Sequence, residues 1–157
     1  GEQCEDGNTT AGDGCSATCQ VEAAVCSEVE PNQSIATATP ITASCTDGGY
    51  GAIAVIGDQD YYAITVPGPA STIRAEVVGL NLTGCPTSFD SYLTLFNAAG
   101  TSLGTDDDDG TDLCSLISPT TDSFATNLAA GTYYIRVEEF QNDEADPPYI
   151  LKVQVTP

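Results

Sequence analysis

From about Glu28 onward, apolar and polar residues alternate in short stretches separated by turn residues. In an extended segment successive side chains point to opposite faces, so this period of two predicts half-buried strands. Eight such stretches stand near 34–39, 50–56, 60–66, 72–79, 91–97, 121–127, 132–140 and 148–155. Tyr62, Ile64 and Val66 share one face of the third. Ile73, Ala75 and Val77 share a face of the fourth, with Arg74 and Glu76 outside. Tyr133, Ile135 and Val137 alternate with Tyr134, Arg136 and Glu138. Tyr149, Leu151, Val153 and Val155 alternate with Lys152 and Gln154. All three basic residues of the chain are thereby expected on solvent faces. No helical periodicity reaches ten residues. Gly131 before one strand and Pro147-Pro148 before the last supply turn chemistry. The pattern predicts an all-β fold, a jelly-roll-like antiparallel β-sandwich.

Residues 1–26 read differently. They hold Cys4, Cys15, Cys19 and Cys26 among many Gly, Asp and Asn residues, with little that is apolar. So small and polar a segment needs disulfides or metal to hold it. Two units are expected: a disulfide-rich appendage at 1–26 and the sandwich domain at 27–157.

Composition narrows the chemistry. Twenty-three acidic residues face three basic ones, a formal charge of −20, which disfavours nucleic acid and anionic membranes as partners. A hydrophobic fraction of 41% argues for folding over disorder. Carboxylates crowded into a fold repel one another, and divalent cations are the simplest remedy. Histidine is absent, which excludes Ser-His-Asp and Cys-His catalysis and histidine-bearing zinc sites. A hydrolase built on two carboxylates stays open. No apolar run approaches the ~18 residues of a membrane span. Methionine is absent, so Gly1 is expected to be a processed start, any signal peptide lying upstream. Seven cysteines point to an oxidising compartment and an extracellular or cell-surface location. Cys15 and Cys19 lack the second pair that a zinc site requires. Cys85 and Cys114 bracket a strand and an acidic loop, and Cys26 and Cys45 bracket the entry segment, so each pair is a candidate disulfide. One of Cys4, Cys15 and Cys19 lacks a partner within that group.

Three carboxylate constellations stand out. Glu28, Glu30 and Asn32 are spaced by two, as are Asp58 and Asp60, so each set presents oxygens on one side of an extended segment. Calcium takes six to eight such oxygens; two solvated acidic turns are the plain alternative. Asp90 with Asp107 and Asp109, in the run Asp106–Asp109, forms a second, weaker candidate, for which a solvated loop serves equally well. It does not fit an EF-hand, because Thr105 stands where the first aspartate is required. Asp6, Asn8 and Asp13 form a third set that ordinary turns also explain. Sequons occur at Asn8, Asn32 and Asn81, of which Asn81 is the best glycan candidate. Tyr61, Tyr92 and Tyr134 offer either a ligand surface or plain cross-strand pairing.

VEPNQS, GDQDYYAITV, DSYLTLFNAAGTSLGTDDDDG, LAAGTYYIRVEE and YILKVQV occur in that order between Val29 and Val155. In this order they resemble the bacterial pre-peptidase C-terminal domain, a relative of the collagen-binding domains of clostridial collagenases. The resemblance implies a calcium-binding jelly roll acting as an accessory, binding or secretion module. It also implies that the segments around Glu30 and Asp58 meet around calcium, with Gln33 where a further oxygen ligand often stands. GEQCEDGN and GDGCSATC near the start resemble a myxobacterial-type cysteine-rich repeat, with Glu5 for the usual aspartate and the upstream half missing. The expected function is a non-catalytic, calcium-binding structural or adhesive subunit that self-associates through its N-terminal segment, into a filament for example. The alternative is an accessory module of a secreted hydrolase, with a matrix protein or glycan as ligand.

Overall fold

The computed structural model describes residues 24–157. Among them run ten strands: β1 Val25–Ser27, β2 Thr39–Ile41, β3 Gly48–Gly51, β4 Asp60–Val66, β5 Thr72–Val78, β6 Ser91–Phe96, β7 Ser102–Asp106, β8 Leu116–Ile117, β9 Gly131–Glu139 and β10 Tyr149–Thr156. They form two five-stranded sheets, β1-β3-β10-β5-β8 and β2-β4-β9-β6-β7. With β1 and β2 set aside, the eight remaining strands have the order of a jelly roll, the chain changing sheet at nearly every connection. The all-β sandwich expected from the alternation is therefore the observed fold. It is not wholly antiparallel, since β1 pairs with β3 and β2 with β4 in parallel. Parallel neighbours need a long crossover. Here each crossover runs through a strand of the opposite sheet.

The core follows the alternation. Tyr62, Ile64 and Val66 of β4, Ile73, Ala75 and Val77 of β5, and Tyr133, Ile135 and Val137 of β9 are all buried, with Leu93, Leu95, Tyr149 and Leu151. Each large apolar side chain so buried contributes about 1.5–3 kcal/mol. Arg74, Arg136 and Lys152 stand on the outward faces, half-buried.

Four expectations need correction. The stretch 34–39 is not one strand: Ile35–Thr37 form a single 3-10 turn closed by Thr37 N donating to Ser34 O (3.0 Å), and β2 starts only at Thr39. The stretch 121–127 is also a 3-10 turn, Ser123–Ala125, because Asp122 Oδ2 accepts from Ser118 N (2.7 Å) and folds the chain back. The stretch 50–56 leaves its sheet after Gly51. The boundary drawn after residue 26 falls inside β1, which places Val25 and Cys26 in the sandwich. The short strands β7 and β8 pair with neighbours that offer open edges, although Ser, Gly and Asp give β7 little strand preference.

Cys26 is bonded to Cys45 (Cα–Cα 5.3 Å) and Cys85 to Cys114 (Cα–Cα 5.6 Å). The first bridge closes a loop that contains Glu28, Glu30 and Asn32. Asp6, Asn8, Asp13, Cys4, Cys15, Cys19 and the repeat resemblance lie outside the described residues. Among those described, the buried acids Asp58, Asp60, Asp106, Glu138, Glu139 and Asp146 all sit at one end of the sandwich, where β4, β6 and β10 begin and β7 and β9 end.

Candidate metal centre

The segment after β1 crosses from the edge of one sheet to the other. Glu28 N donates to Tyr50 O (2.9 Å) beside β3, and Tyr61 N of β4 donates to Asn32 O (3.2 Å). Between these anchors, carboxylate oxygens of Glu28 and Glu30 converge with one from Asp60, the first residue of β4, all within 4.8 Å of one another. Asn32 is fully buried beside them. Its Nδ2 donates to Glu28 Oε2 (3.3 Å). Its Oδ1 faces Glu30 Oε1 at 3.1 Å and Asp60 Oδ1 at 3.3 Å, and a rotated amide would turn Nδ2 toward both instead.

Partial compensation comes from hydrogen-bond donors. Tyr149 OH donates to Asp60 Oδ2 (2.5 Å) and lies 3.2 Å from the Tyr62 hydroxyl, while Ala52 N donates to Glu28 Oε1 (2.9 Å). Burial, with the Glu28 charge adding to it, pushes the Asp60 carboxyl up to about 9. Burial also raises Glu28, and lifts the Tyr62 and Tyr149 phenols well above the usual range. The metal-free cluster therefore holds a proton shared between Asp60 and Glu28. A Cβ at Gly51 would strike the Tyr62 hydroxyl and stand 2.6 Å from Glu28 Oε2 and 2.8 Å from the Tyr149 hydroxyl. The missing side chain leaves room for the cluster.

Asp58 does not join this group. Its Oδ2 accepts from Ala54 N (2.9 Å), and its Oδ1 from Gln59 N (3.1 Å) and Gln33 Nε2 (3.2 Å), so it closes the turn ahead of β4. Gln33 Nε2 also donates to Glu30 Oε2 (3.0 Å), spending its amide on carboxylates. Gly51, Tyr62 and Tyr149 escaped the sequence reading as site residues. The alternation marks both tyrosines as core, and only the meeting of β3, β4 and β10 brings their hydroxyls to Asp60.

The second acidic set gathers Asp90, Asp107 and Asp108, with Asp108 in place of the expected Asp109. The period of two lapses where β7 ends at Asp106, whose Oδ1 accepts from Leu116 N (2.6 Å). Burial raises Asp106 to about 6.

Neither set has the form of a hydrolytic pair. The oxygens of each set crowd within 4.8 Å of one another, whereas glycosidase carboxyl groups stand about 5–9.5 Å apart across a cleft. The broad groove lined by Ile41, Thr42, Ile64, Thr65, Val153 and Val155 carries no acidic residue. Tyr61 packs on Phe96 (5.8 Å) and Tyr92 on Phe140 (6.1 Å), with Arg136 over the Phe96 ring (5.7 Å), so these aromatics pair with one another on the sheet face. Asn32 is inaccessible to glycosylation in this fold. Asn81 lies on an exposed turn, its Oδ1 accepting from Thr83 N (3.3 Å).

A jelly roll stapled by two disulfides, with all its buried acids at one end and no imidazole, is a disulfide-bonded β-sandwich module. The family model of the bacterial pre-peptidase C-terminal domain matches residues 58–139, more than half of the chain, and the chain belongs to this family. The match takes in Asp60 and all of the second acidic set but not Glu28, Glu30 or Asn32. No curated protein matches. Among solved structures, the pre-peptidase C-terminal domain of a Bacillus anthracis collagenase is 16% identical with a TM-score of 0.44, covering 67% of this chain and 85% of that one. The periplasmic inhibitor of g-type lysozyme from Aeromonas hydrophila, PliG, is 16% identical with a TM-score of 0.49, covering 74% and 94%.

Proposed function

We propose that this domain is a non-catalytic accessory module of a secreted protein, and that calcium held by Glu28, Glu30, Asn32 and Asp60 fixes its entry segment. Family membership supports the accessory role, and the two disulfides fit an oxidising, extracellular setting. One observation carries the calcium assignment: carboxylate oxygens of Glu28, Glu30 and Asp60 lie within 4.8 Å of one another around the fully buried Asn32 amide, with no cationic side chain among them. Three converging oxygens repel in the absence of a cation. Ligands about 2.4 Å from calcium and at right angles to one another stand about 3.4 Å apart, a spacing that fits within the 4.8 Å spread of these oxygens. Oxygen-only donors suit a hard dication and not zinc. When bound, the ion supplies positive charge that keeps Glu28, Glu30 and Asp60 ionised. Glu28 and Asn32, anchored on opposite sheets, then join the two edges through it. Asp58 and Gln33 hold Glu30 and the turn in place from outside.

Calcium is expected to raise the melting temperature of the purified protein, EGTA to lower it, and Glu30→Gln to reduce the response. A melting curve indifferent to EGTA, with no metal in elemental analysis, would sink the assignment. Self-association through residues 1–26, and the filament built on it, depends on residues outside those described; the accessory reading rests on the family and is preferred. Its partner class is a matrix protein or a glycan, read out as saturable binding by a monomer.

A further inference from the structure

We propose a second calcium site, separate from the first, formed by Asp90, Asp107, Asp108, Glu139 and Asp146 at the same end of the sandwich. One oxygen from each of Asp90, Asp107 and Asp108 falls within 4.8 Å of the others. The remaining two side chains arrive on a different segment. Burial raises the Asp146 carboxyl to about 6, with the nearby charges of Glu139, Glu144 and Asp90 adding to it, and Asp90 is raised by burial and by the charges of Asp108, Asp107 and Glu139. Backbone contacts hold the pieces together: Ser91 is the register partner of Glu139, Phe140 N donates to Asp90 O (2.9 Å), and Asp146 N donates to Ile53 O (2.8 Å).

The independent pointer to a ligand is an unpartnered buried oxygen. Asp146 is 8% exposed, and its Oδ2 has no hydrogen-bond partner. Asp107 Oδ1 is likewise buried and alone, as is Asn142 Oδ1 on the same loop as Asp146. A carboxylate oxygen removed from water without a donor is costly, and native folds seldom leave one so. Asp143 N donates to Glu139 Oε2 (2.8 Å), but no comparable donor reaches Asp146 Oδ2. Nor does a cationic side chain help. The two ion pairs among the described residues are Arg74–Glu76 and Arg136–Glu138, and Lys152 lies opposite Glu76 on the other sheet. A water molecule would satisfy one oxygen and leave five like charges together. A divalent cation does both. Carboxylates arriving from separate loops form an irregular shell, which calcium accepts and magnesium resists. The ion would tie the loop before β6, the loop after β7 and the loop after β9 into one unit.

Equilibrium dialysis followed by elemental analysis of the full chain tests this, using Glu30→Gln to remove the first site and Asp90→Asn with Asp146→Asn to remove the second. Two calcium ions are expected on the unaltered chain, one on each variant and none on the combination. Loss of one ion in the Asp90/Asp146 variant alone, with Glu30→Gln unchanged, would uphold this site and sink the first. An unchanged calcium count in a folded Asp90/Asp146 variant would overturn the proposal, as would complete loss of calcium in Glu30→Gln. Melting in EGTA guards the reading: the amides remove repulsion, so the metal-free variant should melt no lower than the unaltered chain.

Discussion

The two carboxylate clusters solve one electrostatic problem by different means. At Asp60 the fold brings its own donors: the Tyr149 hydroxyl, the Ala52 amide, the Asn32 side chain and a proton raised onto the carboxyl. At Asp146 the neighbours are other carboxylates, and the buried oxygen is left bare. The first cluster is built into the meeting of two sheet edges. The second is gathered from loops, which backbone contacts hold together but which bring few donors to its carboxylates. Equal charge density does not mean equal dependence on metal; the supply of donors decides.

The sharpest way to break this contrast is to release the first cluster from its staple. Cys26→Ser with Cys45→Ser opens a loop with a sequence separation of 19 that carries three of its four oxygen donors. A cost of about 3 kcal/mol in denaturant unfolding is expected, with the calcium response of the first cluster lost and that of the second kept. Next in size, Gly51→Ala pushes a methyl group against Glu28 and the two tyrosine hydroxyls, for about 1–3 kcal/mol. Calcium titration of this variant should show one class of site missing.

Acidity separates the clusters further. A carboxyl whose folded value is raised binds its proton more tightly in the folded chain, so its contribution is complete below the unfolded value near 4 and vanishes as pH rises through the folded value. In EGTA, stability should therefore fall as pH climbs. The Asp60 share is spread up to about 9, while that of Asp146 and Asp106 is exhausted by about 6. Asp60→Asn should flatten the upper part of the profile and Asp146→Asn the lower part, as followed by thermal melting across pH. Calcium should reverse the upper slope, because it binds the ionised form. The smallest effect belongs to Arg74→Ala. Its half-exposed pair with Glu76 (2.8 Å) lies apart from both clusters and is worth under about 1 kcal/mol, so calcium binding should not change.

Much of this was legible in the residues. The alternation through 60–66, 72–79 and 132–140 placed the core faces correctly, because side chains buried on one face leave a period that survives any rearrangement of loops. The same rule singled out Glu28 and Glu30, whose carboxylates the fold brings beside Asp60, and Asn32, which is buried next to them. That rule failed at Asp58, where it was applied across a turn: the residue is two before Asp60, but its carboxylate bends back to Ala54. It failed again at Asp109, three residues beyond the end of β7, where the acidic set gathers Asp108 instead. Gly51 and the paired hydroxyls of Tyr62 and Tyr149 depend on contacts between distant strands, which no local spacing encodes. The strands over 34–39 and 121–127 were lost to Ser, Thr and Asp side chains that bond their own backbone.

The paired tyrosines also give this protein an optical gauge of its own state. The chain holds seven tyrosines and no tryptophan, so its near-ultraviolet absorption and emission are free of indole. The Tyr149 hydroxyl stands at Asp60 with that of Tyr62 beside it, and Tyr92, tilted against Phe140, stands two residues after Asp90. A luminescent lanthanide placed where calcium is proposed would be lit by a different chromophore at each end of the contrast, and occupancy could be followed without any added label.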